Sequence, residues 1–287
     1  MAQRKLAYEN RIILFLDFLG FKEIVERTEA DRQYLHNLLD AIDLLHQVGR
    51  DDAELSKSQR ITTFSDSVVL SYAVDEESAV FYLLTDVTFA IIDLAIKGFI
   101  VRGAITLGKL IHTNKYLVGP AMIHAYELES KVAKYPRVLV DTKLVSVARK
   151  AHARHHTSHH EARYVSEFLT KDTDGHRFID YISWRGVVDG AGMDDDNYPL
   201  YLRDIGKVIA AGLKKTDASV LSKYLWMHAQ YVTMIEKFEK VGVKNVYRLN
   251  NPENYEAVIS LPKMLKEAAR ARKIVEEAEK QAKAARH

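Results

Sequence analysis

Two stretches constrain this chain more than any others: Ile12-Ile13-Leu14-Phe15-Leu16-Asp17-Phe18-Leu19-Gly20-Phe21 and Ile61-Thr62-Thr63-Phe64-Ser65-Asp66-Ser67-Val68-Val69-Leu70. Each is an apolar, strand-like run that carries one carboxylate. An isolated ionised carboxylate is very costly to desolvate. Two aspartates in otherwise core-like runs are therefore best served by one shared partner. A divalent cation is the natural choice, because it offsets both desolvation penalties.

The chain has 287 residues, 47% of them hydrophobic, which is enough for one substantial core or a core domain with an appendage. Its 41 basic and 39 acidic side chains leave a formal charge of +2. That balance argues against whole-surface attraction to nucleic acid. The absence of cysteine excludes disulfides, zinc–thiolate sites and thiol nucleophiles. The first ten residues lack the apolar core of a signal peptide. No apolar run approaches the ~18–20 residues of a bilayer span. The expectation is a cytoplasmic protein with neither a membrane nor a nucleic-acid partner.

Residues 11–18 read as a buried strand, and 22–27 as a short helix after Gly20. Asp31 is placed to cap a longer helix, with Tyr34, Leu35, Leu38, Leu39, Ile42 and Leu45 at helical spacing. A polar loop at 49–58 leads to strands at 59–64 and 67–73, hinged as a hairpin with Asp66 at its turn. Asp75-Glu76-Glu77 is expected to open a second long helix, acidic in its first turn as the dipole prefers, and Gly98 to end it. Residues 99–107 read as a strand interrupted by Gly103, and 109–116 as a polar turn or hairpin. Gly119-Pro120 starts a helix over 121–131. A strand at 137–141 and a short helix at 142–151 follow. The order β-α-α-β-β-α-β-α-β predicts an α/β fold, an α+β sandwich: a mixed sheet with helices packed on it.

Beyond residue 150 the pattern is less informative. His152, His155, His156, His159 and His160 crowd a polar segment. With no carboxylate or thiol framework, it reads as a solvated loop or helix end rather than a metal site. Residues 178–184 read as a strand. Asp194-Asp195-Asp196-Asn197 reads as a surface turn, since it lacks the spacing and closing Glu of an EF-hand. Residues 199–213, 218–240 and 261–286 read as helices. The last is mixed in charge, suited to solvent or to packing in a dimer. Three regions result: a catalytic core at 1–150, a variable segment at 151–198 whose strands complete it, and a C-terminal helical extension at 199–287.

A first strand beside the hairpin brings Asp17 and Asp66 together, with the Phe18 carbonyl on the same edge. Together with substrate phosphates they form an all-oxygen environment for Mg²⁺ or Mn²⁺. Two such ions per site can clamp a triphosphate and activate a hydroxyl. Gly20 lets backbone approach phosphates closely. Arg102 sits within a strand pattern, where its fork can grip phosphate oxygens. Each residue also has a plainer reading. Asp17 could cap the next helix, Asp66 could be an ordinary turn residue, and Arg102 could form a structural salt bridge. Their combination, in this order with Gly20 and Phe21, favours metal binding.

These pieces resemble the class III nucleotidyl cyclases over about residues 10–145. The resemblance rests on Asp17-Phe18-Leu19-Gly20-Phe21, on Ser65-Asp66, on the strand from Arg102 to Gly108, and on the Gly119-initiated helix with Ala125, Glu129 and Ser130. It implies that Asp17, Asp66 and the Phe18 carbonyl hold Mg²⁺ or Mn²⁺, two ions per site. It implies that Gly20, Phe21 and Arg102 meet the nucleotide phosphates. It also implies a homodimer with composite active sites.

Departures refine the expectation. Adenylate cyclases carry Lys and Asp, and guanylate cyclases Glu and usually a small residue, at the base-reading positions occupied here by Thr62 and Tyr116. Neither gives a charged purine readout, and Tyr116 shortens the pocket to suit one pyrimidine ring. Ile123 and Glu127 stand where the family carries a transition-state Asn and Arg, with His124 and Lys115 as nearby substitutes. The combination resembles the Pycsar-type bacterial pyrimidine nucleotide cyclases of antiphage defence. The implied activity converts UTP, or next CTP, to its 3′,5′-cyclic monophosphate plus pyrophosphate. The implied partners are the nucleoside triphosphate and a product-sensing effector protein. The alternatives are a purine nucleotide cyclase and a catalytically dead nucleotide-binding sensor.

Overall fold

The computed structural model describes residues 6–48 and 57–285. Most of the expected loop at 49–58, and the end of the last expected helix at Arg286, lie outside the described residues. The chain divides into two units, Met1–Tyr181 and Ile182–His287. That boundary falls inside the segment read from sequence as one region, 151–198.

The first unit is built on β1 (Glu9–Phe18), β2 (Arg60–Phe64), β3 (Ser67–Ala73), β4 (Val101–His112), β5 (Leu117–Val118), β6 (Val138–Val140), β7 (Leu169–Lys171) and β8 (Arg177–Ile179). The sheet order is β2-β3-β1-β4-β6-β8-β7, with β5 paired to β4. Among the described residues only β4 and β6 run parallel; the other pairings are antiparallel. With its helices, this is the mixed α/β class expected from the element order.

Side chains alternate across a strand, so β1 sorts its residues between two faces. Ile12, Leu14 and Leu16 lie on one, Ile13, Phe15 and Asp17 on the other. The register extends the second face to Val69 and Ala104 beside Phe15, and to Ser67 and Arg102 beside Asp17. The helix over Pro120–Glu127 lies on that face and packs Ala121 and Ala125 against Ile13, Phe15, Val69 and Leu110. Small residues there let the helix sit close to the strands.

The helices of this unit are α1 (Phe21–Ala30), α2 (Arg32–Gln47), α3 (Ala79–Ile96), α4 (Pro120–Glu127), α5 (Lys143–Lys150) and α6 (Ser158–Glu167). Asp31 caps α2 as expected, its side chain accepting from the Tyr34 N–H at 2.9 Å. The acidic triplet does not open α3. That helix starts after Ser78, which takes a left-handed conformation (φ 56°). Glu76 accepts from the Ser58 hydroxyl, and Glu77 accepts from the Arg154 N–H at 2.6 Å. Both acids are thus engaged by distant segments. α3 is also long and apolar enough to cross a membrane by length and composition, contrary to the expectation from sequence. Most of its residues are buried inside this unit, as expected of a helix hydrophobic nearly all round.

Gly103 does not interrupt β4. A Cβ there would lie 2.2 Å from the Phe15 carbonyl oxygen, so the glycine serves close approach to β1. The strand runs on to His112, and the turn occupies only 113–116. After Glu127 the backbone widens into a π turn over Leu128–Val132. β8 ends at Ile179, short of the expected 178–184. Beyond it Asp180 N–H donates to the Phe168 carbonyl at 3.2 Å, and the Tyr181 hydroxyl donates to the Pro136 carbonyl at 2.9 Å. The His-rich segment leads into α6 through the Thr157 cap, and His156 does find a carboxylate, Glu161 at 2.8 Å.

The second unit holds α7 (Tyr198–Gly212), α8 (Ala218–Glu239), α9 (Val246–Asn250), α10 (Pro252–Ile259) and α11 (Leu265–Ala284). α8 packs against α7, α10 and α11. α9 and α10 are too short for their periodicity to stand out in the sequence. α11 starts at Leu265 rather than 261. The Asp194–Asp196 segment forms the expected turn, with carboxylate oxygens within 4.8 Å of one another.

Candidate active site

Asp17 stands near the end of β1, between Ser67 of β3 and Arg102 of β4. The Ser67 hydroxyl donates to its Oδ1 at 3.5 Å, and Arg102 Nη2 donates to its Oδ2 at 3.3 Å. Asp66 reaches the same point from the hairpin. Ser65 turns the chain through a left-handed conformation (φ 54°). The Phe18 N–H then donates to the Asp66 carbonyl at 3.2 Å, pinning the turn to β1. The two aspartate side chains interact directly.

A third carboxylate joins them. Glu129, in the π turn after α4, brings Oε1 to 2.5 Å from Arg102 Nε and also interacts with Asp17. Burial, and then Asp66, push the Asp17 carboxyl up to about 6 against the opposing pull of Arg102. Burial does most to raise Glu129 to about 7; Arg102 opposes it, and Asp17 and Asp66 add to it. One guanidinium thus pairs with two of three neighbouring acidic groups in a partly buried place. The donor set is all oxygen and fits Mg²⁺ or Mn²⁺, with Asp17 and Asp66 as the residues that would hold it.

Arg102 forms the ion pair with Asp17 and Glu129. Its side chain remains 24% exposed. Gly20 takes a left-handed conformation (φ 76°) as the cap of α1, so the first turn of that helix starts four residues after Asp17. The buried Phe18 ring packs 6.3 Å from both Phe21 and Phe99, which holds this corner together.

Thr62 and Tyr116 are not gathered with the carboxylates. Thr62 pairs with Val69, itself opposite Phe15. It therefore shares the face of Asp17, two strands across and two residues back, roughly 12 Å by strand geometry. Its Oγ1 lies 2.9 Å from His112 Nε2. His112 Nδ1 lies 2.8 Å from Ser71 Oγ, to which Arg11 Nε donates at 2.9 Å. Ser71 is fully buried, and His112 Nδ1 is the acceptor within its reach. A buried donor left unsatisfied is costly. The network therefore assigns Nδ1 as acceptor and Nε2 as the N–H, donating to Thr62 Oγ1. The Thr62 proton is left to donate elsewhere. Burial first, then Arg11 and Arg60, hold His112 down to about 4, so the ring stays neutral near pH 7. Tyr116 lies in the turn before β5 and is 43% exposed.

On α4, Ile123 is 64% exposed and Glu127 pairs with Lys131 at 2.8 Å. His124 is exposed, and Lys115 lies 5.3 Å from the centre of the Tyr116 ring.

No protein family and no curated protein matches this chain. Among solved structures it is similar to a bacterial light-regulated adenylyl cyclase, at 14% identity and a TM-score of 0.37, over 48% of this chain and 78% of that one. It is also similar to the adenylyl cyclase CyaB from P. aeruginosa, at 14% identity and a TM-score of 0.40, over 60% of this chain and 95% of that one.

Sequence reading missed Glu129 as a site residue, although a signal was present. Ala121, Ala125 and Glu129 recur at a spacing of four, so Glu129 continues the sheet-facing stripe of α4. Arg11, Ser71 and His112 gave no such signal, because they meet only through the strand register.

Proposed function

We propose that this protein is a metal-dependent nucleotidyl cyclase that converts a pyrimidine triphosphate, UTP before CTP, to its 3′,5′-cyclic monophosphate. The observation that carries this reading is the meeting of Asp17, Asp66 and Glu129 around Arg102. Bound Mg²⁺ or Mn²⁺ would supply Lewis acidity and neutralise phosphate charge. The chain's own residues do the rest. Asp17 and Asp66 present the oxygens that would hold the metal. Arg102 offers guanidinium donors to phosphoryl oxygens. The Gly20–Phe21 backbone, opening α1, favours negative charge at the same end. In the reaction the ribose 3′-oxygen bonds to the α-phosphorus as its proton passes to solvent. The bond from that phosphorus to the bridging oxygen breaks, and pyrophosphate departs.

Thr62 is compatible with uracil. With one lone pair accepting from His112, its proton is left for a base carbonyl such as O4, and its second lone pair stays available to accept. Its separation from Asp17 suits a site shared between two copies, each lending Thr62 and Tyr116 to the other's carboxylates. The exposed Phe64, Tyr116, Val118, Ile123 and Tyr126 offer apolar surface for that association. By the sequence resemblance to the Pycsar-type cyclases, the product is a messenger for a separate effector in antiphage defence.

Incubation with each of the four triphosphates and Mn²⁺, followed by chromatography, tests the proposal. Cyclic UMP is the expected product. Cyclic AMP or GMP would overturn the base assignment. Saturable nucleotide binding without turnover would favour a sensor, the reading to which Ile123 and Glu127 point.

A further inference from the structure

We infer that the second unit carries a separate binding site for a planar aromatic anion. A cavity of about 320 Å³ opens there, walled by Trp184, Phe238, Tyr247 and Tyr255. The rings brace one another. Trp184 meets Tyr247 at 4.6 Å and 66°, and Phe238 stacks on Tyr255 at 6.3 Å and 27°. Their polar tips are spent on the protein. Trp184 Nε1 donates to Asp189 Oδ1 at 3.2 Å. The Tyr255 hydroxyl donates to the Phe238 carbonyl at 3.1 Å, and the Tyr247 hydroxyl to the Asp195 carbonyl at 3.4 Å. The rings therefore have no unsatisfied polar group to offer a ligand, only apolar surface.

Two cations also line the cavity, Lys237 and Arg185, the latter engaged within the protein as well, and among the described residues no carboxylate does. Both are exposed. On α8, Met234, Lys237 and Phe238 recur at helical spacing, so one helix face supplies both wall and charge. Aromatic walls alone would suit a quaternary ammonium as well as a ring. The lining charge decides between them, because two cations repel an ammonium and attract an anion. The volume sits at the small end of the ~300–1,000 Å³ range of ligand pockets, which favours one ring system over an extended chain. A nucleoside monophosphate and an aromatic carboxylate share this chemistry. All the lining residues belong to the second unit, so the inference stands independently of the cyclase reading.

Isothermal titration of the full chain with uridine 5′-monophosphate, indole-3-acetate and choline tests it, in the wild type and in an Arg185→Glu/Lys237→Glu variant. Both substitutions are at exposed positions, and an unchanged melting temperature verifies the fold. At least one anion is expected to bind saturably, with an affinity at least ten-fold weaker in the variant. Which anion does so identifies the source. The inference falls if neither anion binds, if the variant binds both as the wild type does, or if choline binds as tightly as the anions.

Discussion

Asp17 and Arg102 are cross-strand partners on β1 and β4, with Nη2 of the guanidinium 3.3 Å from Oδ2 of the carboxylate. The same guanidinium also meets Glu129. It cannot neutralise both acids and Asp66 as well. The excess negative charge at this end of the sheet is the physical basis for the predictions on metal and turnover.

Asp66 lies in a hairpin turn, outside the hydrophobic core. Asp66→Asn is expected to lower turnover at least about 100-fold, the order of effect seen when a transition-state electrostatic contact is removed. The melting temperature should stay near that of the wild type. Assay with UTP and Mn²⁺, beside a thermal melt, checks both. Retained turnover would refute the metal assignment.

Asp17 moves from an ordinary value of 3.8 to about 6 on folding, and Glu129 from 4.5 to about 7. A group raised on folding stabilises most below its unfolded value, and loses that contribution as pH rises through the folded one. Without divalent ions these two carboxyls therefore weaken the fold as pH rises from about 4 to 7. Mn²⁺ at neutral pH should raise the melting temperature of the wild type. It should have little effect on Asp17→Asn, in which a ligand is gone. Calorimetry with and without Mn²⁺ decides the matter.

His112 has the opposite sign. Its value falls from 6.5 to about 4 on folding. Its contribution to stability is complete above pH 6.5 and is lost as pH falls through about 4. Nitrogen-15 spectra should show a neutral ring with the proton on Nε2 at pH 7. A proton on Nδ1 would reverse the polarity assigned to Thr62 and commit its hydroxyl proton to His112.

Gly103→Ala places a methyl group against the Phe15 carbonyl and the Leu16 side chain, where the Cβ would lie 2.2 Å and 2.7 Å from their nearest atoms. The backbones of two central strands would have to part. A loss of roughly 2–3 kcal/mol is expected, measured by denaturant unfolding.

Ile123 is 64% exposed on α4. Ile123→Asp should leave the fold intact and separate the copies, seen as a monomer by sedimentation together with lost activity. A wild-type chain that sediments as a fully active monomer would defeat the shared site.

Asp17, Asp66 and Arg102 were visible in the sequence because each is a charged residue in or beside an apolar strand, an anomaly that shows within a few positions. The register then brought Asp17 and Arg102 opposite each other. Gly103 misled for an equally local reason. A glycine in a strand pattern reads as a break, whereas its purpose here is the approach of a second strand. The acidic triplet at 75–77 misled because an N-terminal helix signal and a set of long-range hydrogen-bond acceptors look alike until Ser58 and Arg154 are in place.

The sequence by itself determined the order of strands and helices from β1 to α5, the short β5 apart, and the presence of an aspartate at each of two strand ends. Those features follow from periodicity and from the cost of burying a lone charge, both of which act over a few residues. Only the tertiary structure decided that Glu129 joins the aspartates, that His112 orients Thr62, and that four aromatic rings enclose a cavity in the second unit. Each of these depends on register and packing between segments far apart in the chain, and no local pattern encodes such distances.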